Sequence, residues 1–286
     1  MKLTRILYLL CGVAAGIAPA LPSHADTLDD ITKAGVIHVG TGVMGLKPWM
    51  WQEPNGDYAG LEADLIQAIA KELGVKADIV TTEWSTLIPG LKSNRWDVII
   101  SAMAKSEERI SGGGIQFTNP YILSYDRILV KKDSPAQSLD DMKGKVLGST
   151  VGSLDSLVGH SLADKGVFSE VRDFNSFNEP FVALQNDQVD AVIIDQHTFN
   201  AQKVQFAGLR AIGDPLYFIP KPEWKDAQDK ADYILGGYAI GVRKEDDRLR
   251  AKLNEILVKF DKQGTRKAIL EKYGSWSPEQ ENLLKH

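Results

Sequence analysis

Cysteine is almost missing from this 286-residue chain: the one residue, Cys11, lies in the N-terminal apolar stretch. Without that stretch the chain has no disulfide and no thiol chemistry. Histidine is scarce too, at five residues. Beyond the N-terminal stretch, His38, His160, His197 and His286 show none of the close spacing that a zinc site or a histidine-based nucleophile pair uses. No metal ligand set and no cofactor motif are therefore expected. Positive charge never gathers into a block, and the net charge is −5, which argues against a nucleic-acid partner. No apolar run is long enough to cross a bilayer comfortably, which takes roughly 20 residues.

The first 25 residues read as a secretory signal peptide. Lys2 and Arg5 supply the positive start, Ile6 to Ile17 the apolar stretch, and Ser23-His24-Ala25 a small-x-small cleavage site. Asp26 is then the first mature residue, and the mature chain is expected in the periplasm. A retained anchor, or a lipid on Cys11, are the other readings; Leu9-Leu10 lacks the small residue usual before a lipidated cysteine. The full sequence is 43% hydrophobic and 25% charged, enough for a sizeable core in one large or two ordinary domains.

Periodicity gives an α/β pattern. Val36–Val39 reads as a strand ending in Gly40-Thr41-Gly42, where backbone can turn or approach a ligand. His38 within it reads as structural. Leu61–Leu73 is an amphipathic helix stopped by Gly74, Ala77–Thr81 a strand, and Trp84–Leu91 a short helix. Val98-Ile99-Ile100 is a buried strand, followed by a helix capped by Ser106 and carrying Arg109. The glycine run 111–114 is expected to be loop. Later strands are Ile128–Val130, Lys145–Gly148 and Tyr238–Val242; Ser138–Asp141 caps a short helix, and helices follow over Asp247–Phe260 and Thr265–Tyr273.

One pattern occurs twice. Leu91-x5-Asp97-Val98-Ile99-Ile100 is matched by Leu184-x5-Asp190-Ala191-Val192-Ile193, a helix end, a polar turn and a buried strand. Each half also has an earlier strand ending in glycines, at 40–42 and at 148–152. Two similar α/β lobes follow. In this register Ala102 and Asp195 are equivalent, five residues after the paired aspartates. Ligands in open α/β sheets sit beyond the carboxyl ends of strands. An arginine there can fork onto a carboxylate. Arg109 either does this or pairs on the surface with Glu107 or Glu108; Asp195 is either a ligand acid or a helix cap.

Over residues 35–276 the chain resembles the extracytoplasmic solute-binding proteins of ABC importers, in the polar amino-acid group (family 3). The resemblance rests on GLEADL (60–65), WSTLIPGL (84–91), Asp97–Arg109, FTNPY (117–121), SLDDMKG (138–144), GYAIGVRK (237–244) and Gly264–Trp276, in this order and spacing. It implies a type II periplasmic binding protein: two Rossmann-like lobes joined by a two-segment hinge. The first lobe would be 26–123 plus 237–286, the second 124–236. The crossings would lie near Tyr121–Tyr125 and Leu235–Tyr238, with Gly236-Gly237 absorbing the hinge rotation. Carried over, Arg109 grips a ligand carboxylate and Asp195 accepts its ammonium. Trp84 packs on the ligand, and Ser101 and Ala102 lie in the segment that offers N–H groups. Gly152 and Ser153 form a glycine loop at a helix N-terminus.

Departures from the family pattern bear on the ligand. Ala104 replaces a usual Ser or Thr, and Leu154 a common Thr. Leu46 takes an aromatic position, which Trp49 or Trp51 would fill by another loop path. Gly42 and Val43 stand where relatives for basic amino acids have an acid, which argues against a basic amino acid and favours a less polar ligand or an amine held on tryptophan faces. The implied partners are a small amino-acid-like solute and the transmembrane subunits of an importer, with the protein a monomer. The alternative is a secreted enzyme on the same scaffold, similar to cyclohexadienyl or arogenate dehydratases. Its general acid would be Glu83 or Asp155. A sensory module is a third reading, which would ordinarily require a transmembrane segment.

Overall fold

The computed structural model describes residues 26–202, 207–217, 222–224, 226 and 237–282. The signal segment, Gly236 of the hinge pair and His286 lie outside the described residues.

In chain order the strands are β1 (Val36–Thr41), β2 (Trp51–Gln52), β3 (Tyr58–Ala59), β4 (Lys76–Thr81), β5 (Val98–Ile99) and β6 (Ile115–Leu123), then β7 (Asp126–Lys131), β8 (Val146–Thr150), β9 (Glu170–Phe174), β10 (Ala191–Asp195), β11 (Leu209–Leu216) and β12 (Gly237–Arg243). One five-stranded sheet runs β4-β1-β5-β12-β6 and a second β11-β7-β10-β8-β9. The first sheet thus draws on residues 36–123 and again on 237–243. Within it β4, β1 and β5 are parallel, while β12 runs antiparallel to β5 and β6. The second sheet is parallel through β10-β8-β9 and antiparallel through β10-β7-β11. Only Ser124 and Tyr125 separate β6 of the first sheet from β7 of the second.

Helices cover the sheets with the faces their periodicity predicts. The helix Leu61–Leu73 buries Leu61, Leu65, Ile66 and Ile69 and ends at Gly74 with φ 72°, a left-handed cap that suits glycine. The helix Asp247–Gln263 buries Leu249, Leu253, Ile256, Leu257 and Phe260. Ser138 and Asp141 close a capping box at Leu139–Met142.

The repeated aspartates have a common structural use. Asp97 accepts the His38 N–H at 2.8 Å and donates its own N–H to the His38 carbonyl at 2.8 Å. Asp190 does the same with Val146, at 2.8 and 2.9 Å. In each lobe the aspartate ahead of the inner strand ties it to its parallel neighbour.

Two expectations are corrected, and one strand is added. Ser111 and Gly112 belong to a π-type helical turn, Glu108–Gly112, so only the end of the glycine run is loop. β6 is not among the expected strands; Pro120 masks it, and the ladder to β12 is irregular at Pro120. Gly40 faces packing, not the cleft: a Cβ there would lie 2.7 Å from the Trp96 ring. His38 is a half-exposed surface residue whose Nδ1 lies 2.7 Å from Asp78 across the β1–β4 pair.

Candidate functional site

The carboxyl ends of β5 and β10 face each other between the lobes, and the lobes are closed on one another. Trp49 Nε1 donates to Thr198 Oγ1 at 2.9 Å, and Gln202 Nε2 to the Lys47 carbonyl at 3.1 Å. The Trp84 and Phe177 rings meet edge to face at 5.3 Å. Between them lies a cavity of only about 20 Å3, about the room one water molecule needs. The first lobe contributes Val43, Leu46, Trp49, Trp84, Ala102 and Tyr238 to its wall; the second contributes Ser153, Leu154, Asp155, Phe177 and Asp195.

Arg109 stands beside this cavity. The β5 strand ends, the chain turns, and Ser106 Oγ accepts the Arg109 N–H at 3.4 Å as the helical turn begins. The guanidinium is 8% exposed, so it is not a surface pair with Glu107 or Glu108. Its Nη1 donates to the Ala104 carbonyl at 2.6 Å and its Nη2 crosses to the Gly152 carbonyl at 3.2 Å. It lies 5.7 Å from the Trp84 ring centroid. Burial pulls its pKa down to about 10, which leaves it charged at neutral pH. The buried guanidinium thus joins carbonyls of both lobes at the closure line, behind the residues that line the cavity.

Asp195 is both things the sequence allowed. It caps the helix Gln196–Ala201, accepting the Thr198 N–H at 2.9 Å and the Thr198 hydroxyl at 2.5 Å, and it lines the cavity. Since Thr198 Oγ1 also accepts from Trp49, a chain of hydrogen bonds runs from the first lobe to the acid of the second.

The remaining expected residues have more varied positions. Trp49 is fully buried and packs on Tyr238 at 5.3 Å and His197 at 5.7 Å. Trp51, the other aromatic considered, instead bonds Glu53 on the surface. Ser101 Oγ accepts the Gly42 N–H at 2.8 Å and braces the loop after β1. Ala102 has φ 48°, a strained value for alanine, and its N–H goes to Glu62 Oε1 at 2.5 Å, not to the cleft. Ala104 is buried and holds Arg109 through its carbonyl. Ser153 caps the helix Leu154–Asp164 through the Ser156 N–H at 3.0 Å. Gly152, at φ 71°, meets Arg109 through its carbonyl.

Sequence reasoning missed four groups. Glu62, fully buried in the first turn of Leu61–Leu73, accepts from Ala102 N and the Tyr121 hydroxyl and holds the turn after β5. Burial raises its pKa to about 7 against these two hydrogen bonds. Thr198 and Tyr238 complete the wall around Asp195. Asp126, at the start of β7, stands opposite Asp195 in the strand register. Burial and the nearby carboxylates of Asp155 and Asp195 push its pKa well up. Asp155 is raised to about 7, by burial first and Asp195 second. Of the two acids an enzymatic reading named, Asp155 is therefore in the cleft, while Glu83 is exposed at the rim.

Comparisons with known proteins agree with this architecture. The model for bacterial extracellular solute-binding proteins, family 3, matches residues 37–275. The L-arginine-binding protein of Pseudomonas aeruginosa is 30% identical over 231 residues, 80% of this chain and 84% of that protein. Among solved structures, a mutant of ArgBP from T. maritima superposes with a TM-score of 0.72 at 29% identity, covering 87% of this chain and 100% of that one. AncCDT-1, an ancestral amino acid-binding protein described as a precursor of cyclohexadienyl dehydratase, gives 0.71 at 28% identity, covering 86% and 99%.

Proposed function

Because this chain belongs to the bacterial extracellular solute-binding proteins of family 3, we propose that it captures an α-amino acid between its lobes and delivers it to an ABC importer. Arg109 takes the ligand carboxylate, Asp195 its ammonium, and Trp84 and Trp49 cover its apolar surface. The zwitterion spans the closure line, so binding stabilises the closed form. The observation that carries this reading is the pairing of signs. A charged guanidinium of the first lobe bridges to Gly152 of the second, and the neighbouring cavity is lined by Asp195. Each charge-assisted contact is worth about 1.5–3 kcal/mol net. Ala102 supports the ligand through the shape of its turn, which Glu62 maintains.

The same reading puts residues 1–25 in a cleaved signal, the mature monomer in the periplasm, and the lobe boundaries at 123/124 and 236/237. Capture and delivery involve no chemical step. One observation favours a second reading, a dehydratase: Asp155 lies in the cleft with a pKa of about 7, suited to protonating a leaving hydroxyl. Thermal unfolding of the mature chain, refolded to strip ligand, tests both. An amino acid at 1,000 times its Kd should add about 4 kcal/mol of stability. Turnover of a cyclohexadienyl substrate, without stabilisation by any amino acid, would replace the first reading with the second.

A further inference from the structure

We propose that capture of an amino acid drives a proton off the paired acids Asp126 and Asp155, so that the cleft holds its ligand less tightly in mildly acid surroundings. The inference rests on the amino-acid reading above and adds a regulation to the same site. Asp126 opens β7 directly opposite Asp195 of β10, and Asp155 lines the cavity with Asp195 from the first turn of its helix. All three acids are buried. Asp126 donates a side-chain hydrogen bond to Asp155, which also accepts from Ser153. An ionised carboxylate only accepts, so a bond between two carboxyl groups requires a proton on one.

Like charges directly opposite on paired strands oppose each other, and a buried carboxyl favours its neutral form unless a positive charge is near. Without ligand, Asp195 supplies the repulsion, and it favours a proton on Asp126 and on Asp155. Burial first and Asp195 second raise the Asp155 pKa to about 7. Near neutral pH Asp155 therefore carries a proton of its own part of the time, while Asp126 keeps the one it donates. The other groups around the pair are Tyr238, held protonated by burial and then by these three acids, and Arg109, whose charge Tyr238, Glu108 and Asp155 all favour. A ligand ammonium on Asp195 cancels the charge that raised Asp155. The Asp155 O–H then gives its proton to solvent, and the new carboxylate is left among the Asp126 donor, the ammonium and Arg109. The ligand carboxylate on Arg109 works the other way, but Asp195 is second only to burial in setting Asp155. By reciprocity, a proton that binding expels weakens binding when protons are abundant.

Calorimetric titration of the refolded mature chain with the twenty protein L-amino acids, in phosphate and in Tris at pH 7, counts the protons. Released protons are taken up by the buffer, so binding should give more heat in Tris, matching about half a proton per molecule bound. Affinity should be about 3–10-fold lower at pH 6 than at pH 8. In Asp155→Asn the release should fall to near zero. It should persist in Glu62→Gln, because Asp195 is the least of the four influences on Glu62. Thermal melts check that both variants fold. Equal heats in the two buffers, heats in the sense of proton uptake, or release undiminished in Asp155→Asn overturn this inference and leave the amino-acid reading standing. Binding of none of the twenty overturns both.

Discussion

The two lobes share one backbone device and differ in the sign of the chemistry mounted on it. Asp97 and Asp190 each lock an inner strand to its parallel neighbour through a reciprocal pair of bonds, one accepted by the side chain and one donated by the backbone N–H. Five residues later the lobes diverge. In the first, Ala102 sits in a strained turn held by Glu62, and the charge that reaches the closure line is Arg109. In the second, that place is Asp195, with Asp155 and Asp126 around it. A duplicated frame therefore need not carry duplicated function. The frame sets where strand ends meet the cleft; the residues after the strand set which charge the ligand meets there.

Removing the positive side of this contrast should have the largest effect. Arg109→Ala is expected to weaken amino-acid binding by about 2–5 kcal/mol, measured by calorimetry, because it removes a buried charged partner. Asp195→Asn should weaken binding too, but keeps an oxygen for the Thr198 cap, so its melting point should hold better than that of Asp195→Ala.

The buried acid of the first lobe sharpens the contrast through pH. Glu62 is raised from 4.5 to about 7, so the folded chain holds this proton more tightly than the unfolded one. Its contribution to stability is complete below about pH 4.5 and is lost as pH rises through about 7, at most about 3 kcal/mol. Asp155, raised from 3.8 to about 7, acts in the same direction. Glu62→Gln should flatten the rise of unfolding tendency between these pH values in denaturant melts; an unaltered slope would mean that Glu62 titrates normally.

The shared device can be broken separately from the site. Asp97→Ala should cost about 1–2 kcal/mol of stability in urea unfolding, and Asp190→Ala less, since its side chain is more exposed. Neither should alter ligand affinity of the folded protein. The smallest effect belongs to the contact between lobes. Trp49→Phe removes the bond to Thr198 and should disfavour closure by about 0.5–1.5 kcal/mol. Solution scattering of the ligand-free variant should show a larger radius of gyration, and identical curves would assign closure to other contacts.

Much of this was legible in the chain because it is local. The apolar stripes of Leu61–Leu73 and Asp247–Gln263 are helical periods, and the Asp-plus-strand pattern is a short repeat. Arg109, Asp195 and the tryptophans were reachable because they lie at strand ends or in recognisable motifs. What stayed hidden depends on contacts distant in sequence. Trp49 meets Thr198 across 149 positions and Glu62 meets Tyr121 across 59. Asp126 looks like an ordinary polar start to a hydrophobic strand until register places it against Asp195. Glu62 resembles a helix-start carboxylate until burial shows that it holds a turn. Gly40 misled for the opposite reason: a glycine at a strand end suggests ligand approach, whereas here it makes room for Trp96.

On the proposed function, a zwitterion spans the lobes from Arg109 to Asp195. Calorimetric titration with the preferred amino acid and with its α-carboxamide, on wild type and on Arg109→Ala, tests it most directly. The carboxamide should bind wild type about 10–100-fold more weakly than the parent acid, and the two should bind Arg109→Ala alike. Equal affinity of acid and carboxamide for the wild-type protein would contradict the account.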